Sequence, residues 1–332
     1  MTLYLDTVGP QVSVQDGGRP GCMALGISRG GTADRQALIE AAALLGLREL
    51  PAAVEMAGLG GAFRTDTPCR IALTGASMTA TIDDTPAAWN ATHLLLPGQS
   101  LRIGGARAGV YGYLTPAGGI ETPKILGSRS AHPGLGDRLV AGDILPVGAD
   151  GGLRQPSRTL TTDGRFGGGE VRVLPGPQTA LFPPEIRRAI LGATFVVGPR
   201  TNRQATELRA GARPWSEHRI EVVSDVIIPG DIQITGDGTP FVLLAECQTI
   251  GGYPRIGTVH PSDLPRIAQA PVGSQIRFVE VEHGSVKVPD DATAIAAALR
   301  GVRALVRDPA EIGDLLSYQL VGGVTAGDEL DD

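Results

Sequence analysis

Three segments of this chain set polar side chains beside glycines in patterns able to hold a ligand. The first is Val14-Gln15-Asp16-Gly17-Gly18-Arg19-Pro20-Gly21. Its glycines accept positive φ and allow a ligand close to the backbone, successive N–H groups can form an anion nest, and Arg19 offers a planar fork to carboxylate or phosphate. The same residues also make an ordinary turn tied down by Asp16. The second, Ser28-Arg29-Gly30-Gly31-Thr32-Ala33-Asp34, leads into a helical pattern, so free N–H groups and a positive dipole end can face an anion. Equally, Thr32 or Asp34 can serve simply as the helix cap. The segment has neither the spacing nor the lysine of a P-loop, and Gly58–Gly61 lacks the strand–helix setting of a dinucleotide fingerprint.

The third segment is Ser224–Val259, in which Glu246, Gln248, Thr249, Tyr253 and Arg255 gather around Gly251-Gly252. Polar groups where a core strand should close either line a site or form a satisfied turn network capping a barrel. Cys247, inside this segment, reads as a small buried residue.

The elements that must position these groups are mostly short strands: Gln11–Gln15, Arg70–Leu73, Met78–Ile82, Gly109–Leu114, Glu170–Leu174, Asp231–Ile234, Phe241–Leu244 and Gln275–Val281. Pro229-Gly230 and Gly236-Asp237-Gly238 give a hairpin reading to Asp231–Leu244. Helical spacing is rarer. Asp34–Leu45 aligns Leu38, Ala41, Ala42 and Leu45, with Gly46 as its stop. Pro184–Leu191 and Ser262–Gln269 are short candidates, and Asp291–Leu305 has Asp290 or Asp291 as cap with Ile295, Leu299, Val302 and Val306 along it. The expected class is mainly β with a few helices (α+β). Residues 1–150 form an N-terminal β domain, 151–169 the linker, 170–288 a second β domain and 289–332 a C-terminal helical tail, frayed and acidic at its end (322–332).

Composition limits the function. The 332 residues carry 47 Gly and 25 Pro, few aromatics and a net charge of −6. No basic stripe exists to displace phosphate counterions, which argues against a nucleic-acid partner. Three separated cysteines and five histidines show no metal-ligand spacing, so no metal is expected. With no apolar run near the ~20 residues that span a bilayer, and a start lacking a basic and apolar leader, the reading is a cytoplasmic chain with no membrane partner.

Taken together and in order, VQDGGRPG (14–21), G-I-S-x-x-G-x-x-D (26–34), Glu55, TGA (74–76), AGGI (117–120), GSRS (127–130), GD-x-LP-x-G (142–148), LPGPQ (174–178), PG-x-IQ (229–233) and QT-x-GGYPRI (248–256) resemble one family over residues 7–278. It is the second-subunit type of carboxyltransferase-domain protein, which includes the C-type subunit of 5-oxoprolinase, allophanate hydrolase subunit 2 and urea-amidolyase-related proteins. The resemblance implies two cyclophilin-like β-barrel domains. It also implies a homologous, B-type first subunit in the role of partner, with an A-type lactam hydrolase as a further one. It implies an ATP-dependent hydrolase acting on a cyclic amide: ATP, shared with partner chains, activates the lactam oxygen of 5-oxoproline and water opens the ring. Under it, Arg255, Gln248, Glu246 and Tyr253 are the catalytic candidates. Asp16, Arg19, Gly31, Asp34, Glu55, Arg203, Gln233, Gly251 and Gly252 are the substrate- or nucleotide-binding ones. Arg19 and Arg255 would neutralise phosphate or carboxylate, and Gln233, Gln248 and Tyr253 would orient the amide.

Two other readings stay open. A biotin-dependent carboxyltransferase component of a urea carboxylase would need biotin, yet no methionine here precedes a lysine, as a biotin-acceptor segment requires. A non-catalytic antagonist of a homologous partner fits the departures from the family pattern: Ala42 and Leu47 in the first helix and its exit, Tyr111 where an arginine is usual, and Glu207 as a charge reversal.

Overall fold

The computed structural model describes residues 1–136, 138–211, 215, 220–285 and 287–306. Its first unit is built on two long strands, Cys69–Ile82 and Leu101–Pro116, paired antiparallel from Ile71 opposite Pro116 to Ile82 opposite Leu101. The sheet continues through Gly61–Thr65, Thr2–Val8 and Ile144–Pro146 on one side and through Ala91–Leu95 on the other. Leu101–Pro116 shares its far edge between two strands: Arg102 and Leu101 face Ala62 and Phe63, whereas Tyr111–Leu114 face Ala57–Val54. Ala53–Ala57 then pairs Val12–Gln15 as a branch. This unit is therefore an eleven-stranded branched sheet, and barrel closure belongs to the second unit. There seven strands close in the order Gly168–Leu174, Arg255–Val259, Asp231–Ile234, Pro240–Leu243, Ala205–Arg209, Thr194–Thr201 and Gln275–Glu280, the first and last pairing in parallel. Val171, Val173, Phe195, Ile232, Val242 and Ile276 fill the barrel, as inward positions of a small barrel must.

Helix α1 (Arg35–Leu45) has the expected bounds. Asp34 accepts the Ala37 N–H as N-cap, and Gly46 ends the helix at φ 74° in the left-handed region. Every residue from Ala37 to Leu45 is buried, as suits a helix that is apolar nearly all round. One face joins a cluster in which Ala37, Leu38, Tyr111 and Tyr113 pack with barrel residues, so the core runs across the domain boundary. Another meets Ile295 of the C-terminal helix through Ile39 and Ala42. Helices α2 (Pro184–Leu191) and α3 (Leu264–Gln269) lie beside the barrel strands, and α4 (Asp291–Leu299) is capped by Asp290, whose carboxylate accepts the Thr293 N–H.

Helix α4 stops six residues short of the expected end. The apolar spacing through Val302 is real, but beyond Gly301 it serves a strand, Arg303–Ala304, paired with Arg158–Thr159 at the edge of the first sheet. The C-terminal segment thus returns to the first unit; residues 307–332, with the acidic end, lie outside the described residues, as does His218. Among the described residues, no helix is long and apolar enough to cross a membrane.

The stretch 151–169, expected as the linker, carries a buried ion cluster. Arg165, only 2% exposed, donates through Nε to Asp34 (2.8 Å), through Nη1 and Nη2 to Glu40 (2.8 Å each) and through Nη1 to Asp163 (2.6 Å). Burial, with the Asp34 and Asp163 charges nearby, pushes the Glu40 carboxyl up to about 7 against the opposing pull of Arg165. Protons therefore leave the unfolded chain near pH 4.5 and the folded one near 7, so this group's contribution to stability is present at low pH and declines across that window. Thermal melts from pH 4.5 to 7.5 should show Glu40→Gln gaining on the wild type as pH rises; a constant difference would show that Glu40 titrates normally.

Candidate functional site: an interdomain cleft

Strand alternation builds one wall of the site. Along Val12–Gln15, Val12 and Val14 join the core of the first unit, which turns Gln11, Ser13 and Gln15 the other way. These three line a cleft of about 500 Å³ with Ala131, His132, Pro133, Gly136 and Arg138, and the barrel supplies the opposite wall through Asn202, Arg203, Gln204 and Glu246. His132, on the same surface, pairs its Nε2 with the Ser28 hydroxyl at 2.8 Å.

Arg203 holds the two walls together. Its Nε donates to Glu246 at 2.6 Å, its Nη2 to the Gly31 carbonyl at 2.5 Å, and its Nη1 to Glu55. Burial works against the charge, but Glu55 and Glu246 outweigh it and hold Arg203 protonated. The other Glu55 oxygen accepts from the Ala33 N–H (2.9 Å) and the Tyr113 hydroxyl (2.7 Å), which itself accepts from Thr32 Oγ1 and the Asp34 N–H (2.9 Å each). Burial, with Glu55 and Asp34 nearby, raises Tyr113 well above its ordinary pKa, so it remains a donor. Asp34 binds Arg165 and the Gln269 amide (2.8 Å) through one oxygen, tying α1 to the linker and to α3.

Of the residues singled out in the sequence, Glu246, Arg203, Glu55, Gly31 and Asp34 meet in this network. Asp16 does not face the cleft as a ligand group. Its carboxylate accepts from the Gly18 N–H (2.8 Å), Ser128 Oγ and Ser130 Oγ (2.6 Å each) and the Arg129 N–H (2.7 Å). Burial alone would raise its pKa, but these four donors keep it below the usual carboxylate range. Arg19 is buried at 1% exposure and donates to the Ser130 carbonyl at 2.6 Å.

The other candidates sit at the barrel rim. Arg255, offered as the phosphate or carboxylate group, is taken by the Val226 carbonyl (2.5 Å), Asp231 (3.2 Å) and Asp225, and its backbone N–H binds Gln178 Oε1 (3.0 Å). Gln248 is exposed, Tyr253 is half exposed, and the pair Ile250–Gly251 forms a small two-stranded flap with Asp225–Val226. Gly251 lies over Gln233, whose amide nitrogen a Cβ at Gly251 would approach to 2.5 Å; Gly252 lines a separate hollow with Tyr253. Cys247 is buried and its thiol is pushed up to about 12 by that burial. Arg255→Ala should therefore lower stability by roughly 2–3 kcal/mol, by stranding Asp231. Turnover per folded molecule should hold within about two-fold; an unchanged melting temperature with lost turnover would return Arg255 to the chemistry.

Sequence reading missed Gln11, Ser13 and Gln15, although polar residues at every second position opposite Val12 and Val14 were the available signal. The four departures from the family pattern are absent from the cleft wall. Ala42 packs on α4, Leu47 fills satellite core, Tyr111 lies in the shared core, and Glu207 is held by Arg200 and Arg209 (2.9 and 3.1 Å).

Comparison with known proteins agrees with this architecture. Residues 25–280 match the family described as carboxyltransferase domain, subdomain A and B. The chain is similar to the C-type subunit of 5-oxoprolinase from Escherichia coli K12, 34% identical over 84% of this chain and 91% of that protein. It also resembles the corresponding Haemophilus influenzae protein, of the same name, at 30% identity over 82% and 89% respectively. Among solved structures, TTHA0988 superposes with a TM-score of 0.76 at 30% identity over 84% of this chain, which spans 56% of that longer one. The Kluyveromyces lactis urea carboxylase shares the fold, with a TM-score of 0.74 at 24% identity, this chain covering 85% of itself and 28% of that chain.

Proposed function

The chain belongs to the carboxyltransferase-domain family, subdomains A and B, and on that premise we propose that it is one subunit of a 5-oxoprolinase-like amide or lactam hydrolase. It acts in the cytoplasm together with a homologous first subunit, and the assembled complex uses ATP. The observation that carries this reading is the cleft between the two units, lined mainly by amides, with the Ser13 hydroxyl, the His132 imidazole, the exposed Arg138 and one carboxylate, Glu246, held by Arg203. Such a surface suits a small polar amide better than an apolar ligand. Two relatives named for 5-oxoprolinase match nearly their whole length, which supports the same substrate class.

In this reading ATP phosphorylates the lactam oxygen, water adds to the activated carbon, and the ring opens, with ADP and phosphate as the other products. Glu246 is the candidate base for that water, since it is the one sequence-derived catalytic candidate on the cleft wall. The γ-phosphate needs more positive charge than this cleft offers: Arg203 is already committed to Glu55 and Glu246, and Arg138, the other arginine lining it, is exposed to solvent, so in this reading a partner chain completes the nucleotide site. Co-expression with the homologous first subunit should give a single peak on size-exclusion chromatography, and this chain alone should hydrolyse no ATP. Separate elution at micromolar concentration would overturn the shared-site reading.

A further inference from the structure

We propose that Gln15 selects ligands by their nitrogen: its Oε1 accepts a hydrogen bond from the free N–H of an amide, lactam or urea seated in the interdomain cleft. The inference rests on the proposed function for its choice of ligand, but its argument is local. Gln15 lines the cleft and is 1% exposed, so its amide cannot turn to bulk water. Its Nε2 donates to Ser13 Oγ at 3.0 Å and to the Ala131 carbonyl at 3.2 Å. A carbonyl can only accept, which fixes the amide's orientation and leaves Oε1 as the second end. That oxygen has no hydrogen-bond partner among the described residues. A buried acceptor without a donor is costly, and an amide anchored on one end by two partners is a preorganised acceptor for a donor arriving on the other.

This arrangement makes a directional demand. A ligand N–H satisfies Oε1, whereas a ring oxygen or a tertiary nitrogen in its place brings no donor and leaves Oε1 unpaired. Sites built on a buried hydrogen-bonding group discriminate strongly against analogues that lack its partner. The strand that carries Gln15 also carries Ser13, whose hydroxyl holds the amide in register, so Ser13 is a positioning residue for the same contact.

The test applies two nearly isosteric probes to the complex assembled with the homologous first subunit: 5-oxoproline and the lactone in which oxygen replaces its ring N–H. Calorimetry without ATP should show the lactam binding roughly ten- to a hundred-fold more tightly than the lactone. In Gln15→Leu the ratio should fall towards one, mainly through loss of lactam affinity, and in Ser13→Ala it should fall part of the way. If the leucine variant does not fold, the wild-type ratio and Ser13→Ala decide the matter. Equal affinities in the wild type, or a ratio untouched in the variants, would overturn the assignment. Turnover of 5-oxoproline with equal affinities sinks this inference and leaves the proposed function standing. The expected ratio without any turnover does the reverse, and binding of neither probe overturns both.

Discussion

Replacing Arg203 with alanine is expected to cost about 3–5 kcal/mol of stability, because it leaves two carboxylates in place without their shared cation. Glu55 is buried at 2% exposure and Glu246 is largely so, and both bind the same guanidinium from opposite sides of the domain boundary. Attraction between such charges repays their desolvation only while all partners are present. The loss should appear as a lower denaturant midpoint, and the added change Glu246→Gln should recover part of it by removing one stranded charge. A loss under about 1 kcal/mol, or no recovery, would mean that solvent reaches these carboxylates and that the two walls are not fastened here.

Asp34→Ala is the second large effect, again about 3–5 kcal/mol. One carboxylate caps α1 through the Ala37 N–H and binds Arg165 of the linker and Gln269 of α3. A lost cap alone costs about 1 kcal/mol, so an effect of only that size would assign Asp34 to the helix and nothing more. Asp34→Asn separates the contributions: it keeps a capping oxygen and forfeits the charge facing Arg165. Its midpoint should fall between those of the wild type and the alanine variant, whereas equality with alanine would place nearly all the energy in the ion pair.

These residues show what the sequence could convey. The bounds of α1 follow from apolar spacing between a capping aspartate and a glycine, because both signals act within a turn or two of the chain. The positions of most β strands were legible for the same reason, since most of the expected runs lie within observed strands. The end of α4 was not, since Val302 and its neighbours keep helical spacing while a strand at Arg158–Thr159, more than a hundred residues earlier, captures the backbone. The densest polar segment, 246–255, was visible as a cluster, but sequence cannot say whether such groups face a ligand or one another. Arg255 faces Asp225, Asp231 and Gln178; only Glu246 reaches the cleft. Arg165 was hidden inside a stretch whose composition reads as linker, because its three acidic partners come partly from α1. Gln15 was absorbed into a turn motif, and the pairing of Val12–Gln15 with Ala53–Ala57 that fixes its facing is a long-range contact.

Phosphate release by the reconstituted set, this chain with an A-type lactam hydrolase and its homologous first subunit, tests the central claim most directly. With ATP present, the account predicts release stimulated several-fold or more by 5-oxoproline, no release from this chain alone, and loss of the stimulation in a Glu246→Gln complex that still assembles. An assembled complex whose phosphate release no small lactam, primary amide or urea can stimulate would contradict it.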